Sequence, residues 1–151
     1  STQANQQQPQ PQAQAQTQPA ANTDDVPSYL KRTPEGYIIA EVVDMLYSLQ
    51  DVRLRKDFEG RTVELIAQAM PDGKAGSKRF KAVRMLMSCC AADARPIATW
   101  IQFDGAQELP EMSWVRIVGK ATFPIENGKR LSVVEATMVV PCKPPEEAML
   151  F

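Results

Sequence analysis

From Arg61 onward the chain alternates apolar and polar residues in short runs, and a period of two predicts strands. The first run is Arg61–Met70, with Val63, Leu65, Ala67 and Ala69 sharing one face. Pro71-Asp72-Gly73 and Gly76 mark a loop. The second run, Arg79–Ser88, puts Val83, Met85 and Met87 on one face and Ala82 and Leu86 on the other. The third is Ile97–Asp104, where Ile97, Thr99, Ile101 and Phe103 alternate with Ala98, Trp100 and Gln102. A short helical turn is expected at Pro110-Glu111-Met112-Ser113. The fourth run, Trp114–Ile125, contains Gly119, which predicts a bulge or bend. Asn127-Gly128 is a hairpin-turn signal. The fifth run, Leu131–Val140, stops at Pro141.

The period changes upstream. Tyr37–Ala40 reads as a short strand. Val42, Met45, Leu46 and Leu49 then fall at i, i+3, i+4 and i+7, which predicts an amphipathic helix over about 41–50. Arg53, Arg55 and Lys56 read as solvated charge after it. Five strands, one N-terminal helix and a helical turn between strands three and four predict a mainly β chain folded as an OB-like barrel. A small β-sandwich is the other arrangement these runs allow.

Composition divides the chain. From Ser1 to Thr23 there is no charge and no apolar residue larger than alanine. Such a Gln/Pro/Ala stretch buries too little apolar surface to offset its ordering entropy. Residues 1–23 are therefore expected to be a disordered, Gln/Pro-rich linker, 24–145 the OB-like domain and 146–151 a loose tail. Such a tether makes most sense with a membrane anchor or signal at its other end, which predicts a membrane-tethered protein. A tethered domain of this kind is expected on the extracytoplasmic face; free thiols suit the reducing cytosolic face better, so both stay open. No apolar run is long enough to span a bilayer, so membrane contact would come only through an upstream segment.

Net charge is −1, and the chain has three cysteines and no histidine. Without histidine the chain cannot build a Ser-His-Asp or Cys-His pair, and a non-enzymatic role is expected. An odd cysteine count permits at most one internal disulfide. Cys89 and Cys90 are adjacent and lead into Ala91-Ala92-Asp93-Ala94-Arg95-Pro96, small residues suited to a turn that Asp93 can cap. Adjacent Cα atoms lie about 3.8 Å apart, below the ordinary disulfide span, so a vicinal bridge is disfavoured. Three uses remain. One cysteine fills the core while the other lines the turn. Cys89, Cys90, Asp93 and Cys142 hold a soft metal ion. Or the two thiols form a redox pair.

An OB barrel also invites single-stranded nucleic acid, through aromatic platforms and a basic groove. Lys74, Lys78, Arg79 and Lys81 cluster around the first hairpin, with Phe80 and Trp100 in the strands of the usual binding face. The slightly acidic total charge argues against that partner.

Three segments carry a family likeness. They are Ser88-Cys89-Cys90-Ala91-Ala92-Asp93-Ala94-Arg95-Pro96, Trp114-Val115-Arg116-Ile117-Val118-Gly119 before a final strand ending at Pro141, and Phe58-Glu59-Gly60-Arg61-Thr62-Val63. Over residues 37–145 the chain resembles the C-terminal soluble domain of the bacterial YcgQ-type family of permease-associated proteins of unknown function. The resemblance implies a membrane part before the linker and a membrane permease subunit as partner. Cys142 falls outside the family pattern, so no role for it is carried over.

Overall fold

A computed structural model describes residues 26–150, with the side chain of Ala91 left aside. The expected linker over 1–23 lies outside these residues. The elements in chain order are β1 (Ile38–Ile39), α1 (Val42–Tyr47), α2 (Val52–Phe58), β2 (Thr62–Pro71) and β3 (Arg79–Leu86). There follow β4 (Arg95–Gln102), β5 (Ser113–Thr122), β6 (Ile125–Glu126), β7 (Lys129–Arg130), β8 (Val133–Pro141) and β9 (Met149–Leu150).

Five strands close into a barrel in the order β2-β5-β8-β4-β3, and β3 pairs back onto β2. β4 and β8 run parallel and the other neighbours in the ring run antiparallel. This is the OB-like barrel expected from the sequence. Alternation builds it: Val63, Leu65, Ala67 and Ala69 of β2 are all buried, and Val115, Ile117 and Ala121 of β5 face them in the core. At Gly119 the β5–β8 register slips by one residue, the bulge that the mid-strand glycine predicted.

Several elements differ from expectation. The helix expected over 41–50 ends at Tyr47, and a second helix follows. Asp51 begins it: its carboxylate accepts the backbone N–H groups of Arg53 and Leu54, at 2.9 and 3.2 Å. Arg53, Arg55 and Lys56 thus belong to α2, whose Phe58 is buried against the barrel while Leu54 packs at its margin. The helical turn before β5 forms at Ala106–Glu108 rather than at 110–113. There Pro110–Ser113 is a tight turn with Met112 at φ 59°, closed by the Ser113 hydroxyl donating to the Pro110 carbonyl at 2.7 Å.

The tail expected to be loose is tied down in part. Met149–Leu150 pair parallel to Met85–Leu86 at the end of β3. They do so because β3 has left β2 by then: the β2–β3 rungs run from Pro71↔Phe80 to Gln68↔Val83. Beyond Val83 the barrel seam opens, and the buried Arg84 fills it. One terminal nitrogen of Arg84 donates to the Ile66 carbonyl at 3.2 Å and to Glu41 Oε2 at 3.3 Å. The other donates to the Glu147 carbonyl at 3.0 Å, and the Trp114 ring centre lies 5.5 Å from the guanidinium.

Candidate thiol–carboxylate site

The cysteine turn is the loop of the β3–β4 hairpin. β3 and β4 finish pairing at Leu86↔Arg95, so residues 87–94 must reverse the chain in a short loop. A 3-10 turn over Ala91–Asp93 makes the reversal, with the Asp93 N–H bonded to the Cys90 carbonyl at 2.9 Å. That bond folds the Asp93 side chain back over the two thiols. The Cys89 thiol donates to Asp93 Oδ2, and the Cys90 thiol reaches the same oxygen at 3.5 Å. The two sulfurs and a carboxylate oxygen all lie within 4.8 Å of one another. All three residues are exposed, and both cysteines are free thiols.

Exposure contradicts one sequence expectation. Neither cysteine of the pair is a core residue; Phe80, Ala82 and their neighbours fill that place. The turn itself places the side chains outward, because it projects past the last rung of the barrel.

Electrostatics at the turn run one way. The Asp93 carboxylate, hydrogen-bonded to Cys89, pushes that thiol above its ordinary range, and the Cys90 contact adds to this. The same two thiol contacts hold the Asp93 carboxyl below the usual carboxylate range. The two shifts favour a protonated Cys89 beside a charged Asp93. Replacing the thiol protons with one soft cation would engage all three donors, two sulfurs and one oxygen. Alongside lies a shallow cleft of about 320 Å³ lined by Leu86, Ser88, Asp93 and Arg95.

The structure brings together three of the four residues proposed as ligands from the sequence. Cys142 is not among them. It follows β8, where its N–H bonds the Trp114 carbonyl at 3.1 Å. Its half-buried thiol is pushed up by burial and drawn down by nearby Arg116. Spacing along the chain could not place it, because its position depends on β8 pairing with β5.

The residues proposed for nucleic acid are scattered into separate tasks. Phe80 is fully buried in the barrel and is not a stacking platform. This corrects its assignment: it points inward with Ala82, on the face of β3 that the barrel buries. Arg79 is held by both oxygens of Glu126, at 2.8 and 2.7 Å. Lys78 pairs with Asp104 at 3.6 Å. Lys81 lies 5.3 Å over the half-buried Trp100 ring. Lys74 is exposed in the loop before β3. The cleft beside Arg79, about 350 Å³, carries Glu59, Glu126 and Glu135 on its walls. Carboxylates there repel a phosphate backbone.

From the sequence, Arg84 and Arg95 are candidates to lower a thiol pKa. Arg95 does line the cleft beside Asp93, whereas Arg84 spans the seam, a role sequence reading missed along with Glu126 as the partner of Arg79. Arg84 carried a signal: a charge within an apolar run, at a position where the alternation requires an inward side chain. Glu126 carried none, since only the fold brings its hairpin to β3.

Fold and site define a small OB-like β-barrel domain that displays an exposed dithiol–carboxylate turn. Residues 8–151 match the family model of the DUF1980 C-terminal domain, and the chain belongs to that family. Among solved structures, the chain is similar to a small single-stranded DNA-binding protein from Streptomyces coelicolor. That likeness has a TM-score of 0.37 and 9% identity, and covers 54% of this chain and 91% of that one. No curated protein matches the chain.

Proposed function

We propose that this domain is a non-enzymatic accessory module of a membrane-tethered bacterial protein and that its cysteine turn binds a soft metal ion. The observation that carries the reading is the convergence of Cys89, Cys90 and Asp93, whose ligand atoms lie within 4.8 Å of one another on an exposed turn. Two thiolates favour soft cations over magnesium or calcium, and the carboxylate supplies charge balance. Resemblance to the YcgQ-type family supports a membrane permease as partner, and the Gln/Pro tether supports membrane attachment on the extracytoplasmic side. Among the described residues no helix is long and apolar enough to cross a membrane, so on this reading the attachment lies elsewhere in the protein.

The redox alternative is less well supported. A catalytic thiol needs a depressed pKa, and Asp93 acts on Cys89 in the opposite sense. The nucleic-acid alternative loses Phe80 to the core and Arg79 to Glu126.

Native and denatured masses of the purified protein, taken after adding cadmium ion under reducing conditions, test the proposal. One bound ion per chain is expected, lost in Cys89→Ser and Cys90→Ser and weakened in Asp93→Asn. A chain that binds no ion, or whose binding survives both serine variants, would sink it. Because the thiols must lose protons to bind, affinity should rise with pH through the thiol range.

A further inference from the structure

The end of β3 that carries the cysteine turn is held on two sides, one local and one from the C-terminal end of the described residues. On one side the Leu86↔Arg95 rung joins it to β4. On the other, the Met87 N–H donates to the Leu150 carbonyl at 2.8 Å, two residues before Cys89. The strand that provides this carbonyl, β9, is two residues long. So short a strand has little pairing of its own, and Arg84 supplies the fastening.

Arg84 is 3% exposed and spans the open seam. Its terminal nitrogens reach Ile66 on β2 and Glu147 just before β9, at 3.2 and 3.0 Å. Its Nε–H, also buried, has no acceptor among the described residues. An arginine this buried already carries one unmet donor, so losing Glu147 as well would leave a second. Arg84 and the C-terminal strap therefore depend on each other: the guanidinium needs the strap's carbonyl, and the strap needs the guanidinium to stay on β3.

We propose that the C-terminal strap, latched by Arg84, positions the cysteine turn for cation binding, so that strap closure and cation affinity are linked. The inference rests on the soft-cation reading of Cys89, Cys90 and Asp93. When β9 is docked, the backbone entering the turn is fixed at Met87 before a cation arrives. When β9 lifts, residues 87–90 gain freedom that binding must then remove, and affinity falls by that ordering cost. Linkage makes the effect reciprocal: an occupied site holds the strap down. Arg84 is a positioning residue here; it touches neither thiol.

The test compares the full chain with a full-length M149G/L150G variant, which weakens β9 at two half-buried residues near the chain end and leaves the barrel core intact. Cadmium affinity is read from thiolate-to-metal absorbance, and the exchange rate of the Met87 amide is read with and without cadmium. The variant should bind about tenfold more weakly, within the usual range of such couplings. In the full chain, cadmium should slow exchange at Met87 while the β5–β8 amides keep their rates. R84K, which retains the charge but not the forked reach, should fall between the two chains. Equal affinities for the two chains, or a Met87 amide indifferent to cadmium, would overturn the linkage while leaving the site. A full chain that binds no cadmium would overturn both.

Discussion

Gly119 shows how one residue serves the barrel. A Cβ there would lie 2.3 Å from the Glu135 carbonyl oxygen and 2.6 Å from the Ala136 Cα. Both are backbone atoms of the strand paired at the bulge, and neither can rotate away. Gly119→Ala should therefore cost about 2–3 kcal/mol, at the upper end of overpacking penalties, seen as a lower denaturant midpoint with an unchanged slope. A full-stability variant would mean that the two strands do not approach so closely. At the opposite extreme of exposure, the Tyr29 hydroxyl donates to the Asp57 carboxylate. That bond, with the Asp57 charge behind it, raises the phenol from its ordinary value to about 12. Because the folded value is raised, the contribution to stability is complete below the ordinary phenol range and is lost as pH rises toward 12. Absorbance titration should show a tyrosine titrating near 12 that shifts down in Asp57→Asn. A titration curve that Asp57→Asn leaves unchanged would refute it.

Elements were legible in proportion to how much their own sequence decides. The five long strands announce themselves by alternation, because each must present one face to the core whatever its neighbours are. α2 was hidden among charges: Leu54 and Phe58 are its apolar contacts with the core, four residues apart, and Arg53, Arg55 and Lys56 surround them. Asp51 was the missed signal, an N-cap ahead of a residue pair with helical spacing. Asp51→Ala should lower stability by about 1 kcal/mol, through two backbone N–H groups left to water. Chemical denaturation checks the size, and no change would mean that packing of Phe58 alone fixes the helix. β9 could not be read at all. Two residues of strand have no period, and their pairing exists only because the seam opens beyond Val83.

At the scale of the molecule, the barrel decides which charges are free. The first-hairpin basic cluster suggests a groove for nucleic acid, yet Arg79 is committed to Glu126, and the exposed Lys78 has Asp104 beside it. Acidic side chains line the cleft beside Arg79. Oligonucleotide binding should accordingly be absent at moderate salt. Measurable affinity that falls steeply with added salt would revive that function. The thiol turn has the opposite history. Its residues are close in sequence, so Cys89, Cys90 and Asp93 could be grouped from spacing alone, and the fold holds them together.

The sequence by itself determined the alternation of the barrel strands, the bulge at Gly119 and the grouping of Cys89, Cys90 and Asp93 in one turn, because each depends on neighbours within a few residues. Tertiary structure alone decided that Phe80 faces inward, that Cys142 lies apart from the other thiols and that Arg84 closes the seam against the C-terminal strand. Those outcomes depend on which strands meet across the barrel. Distance along the chain does not encode that.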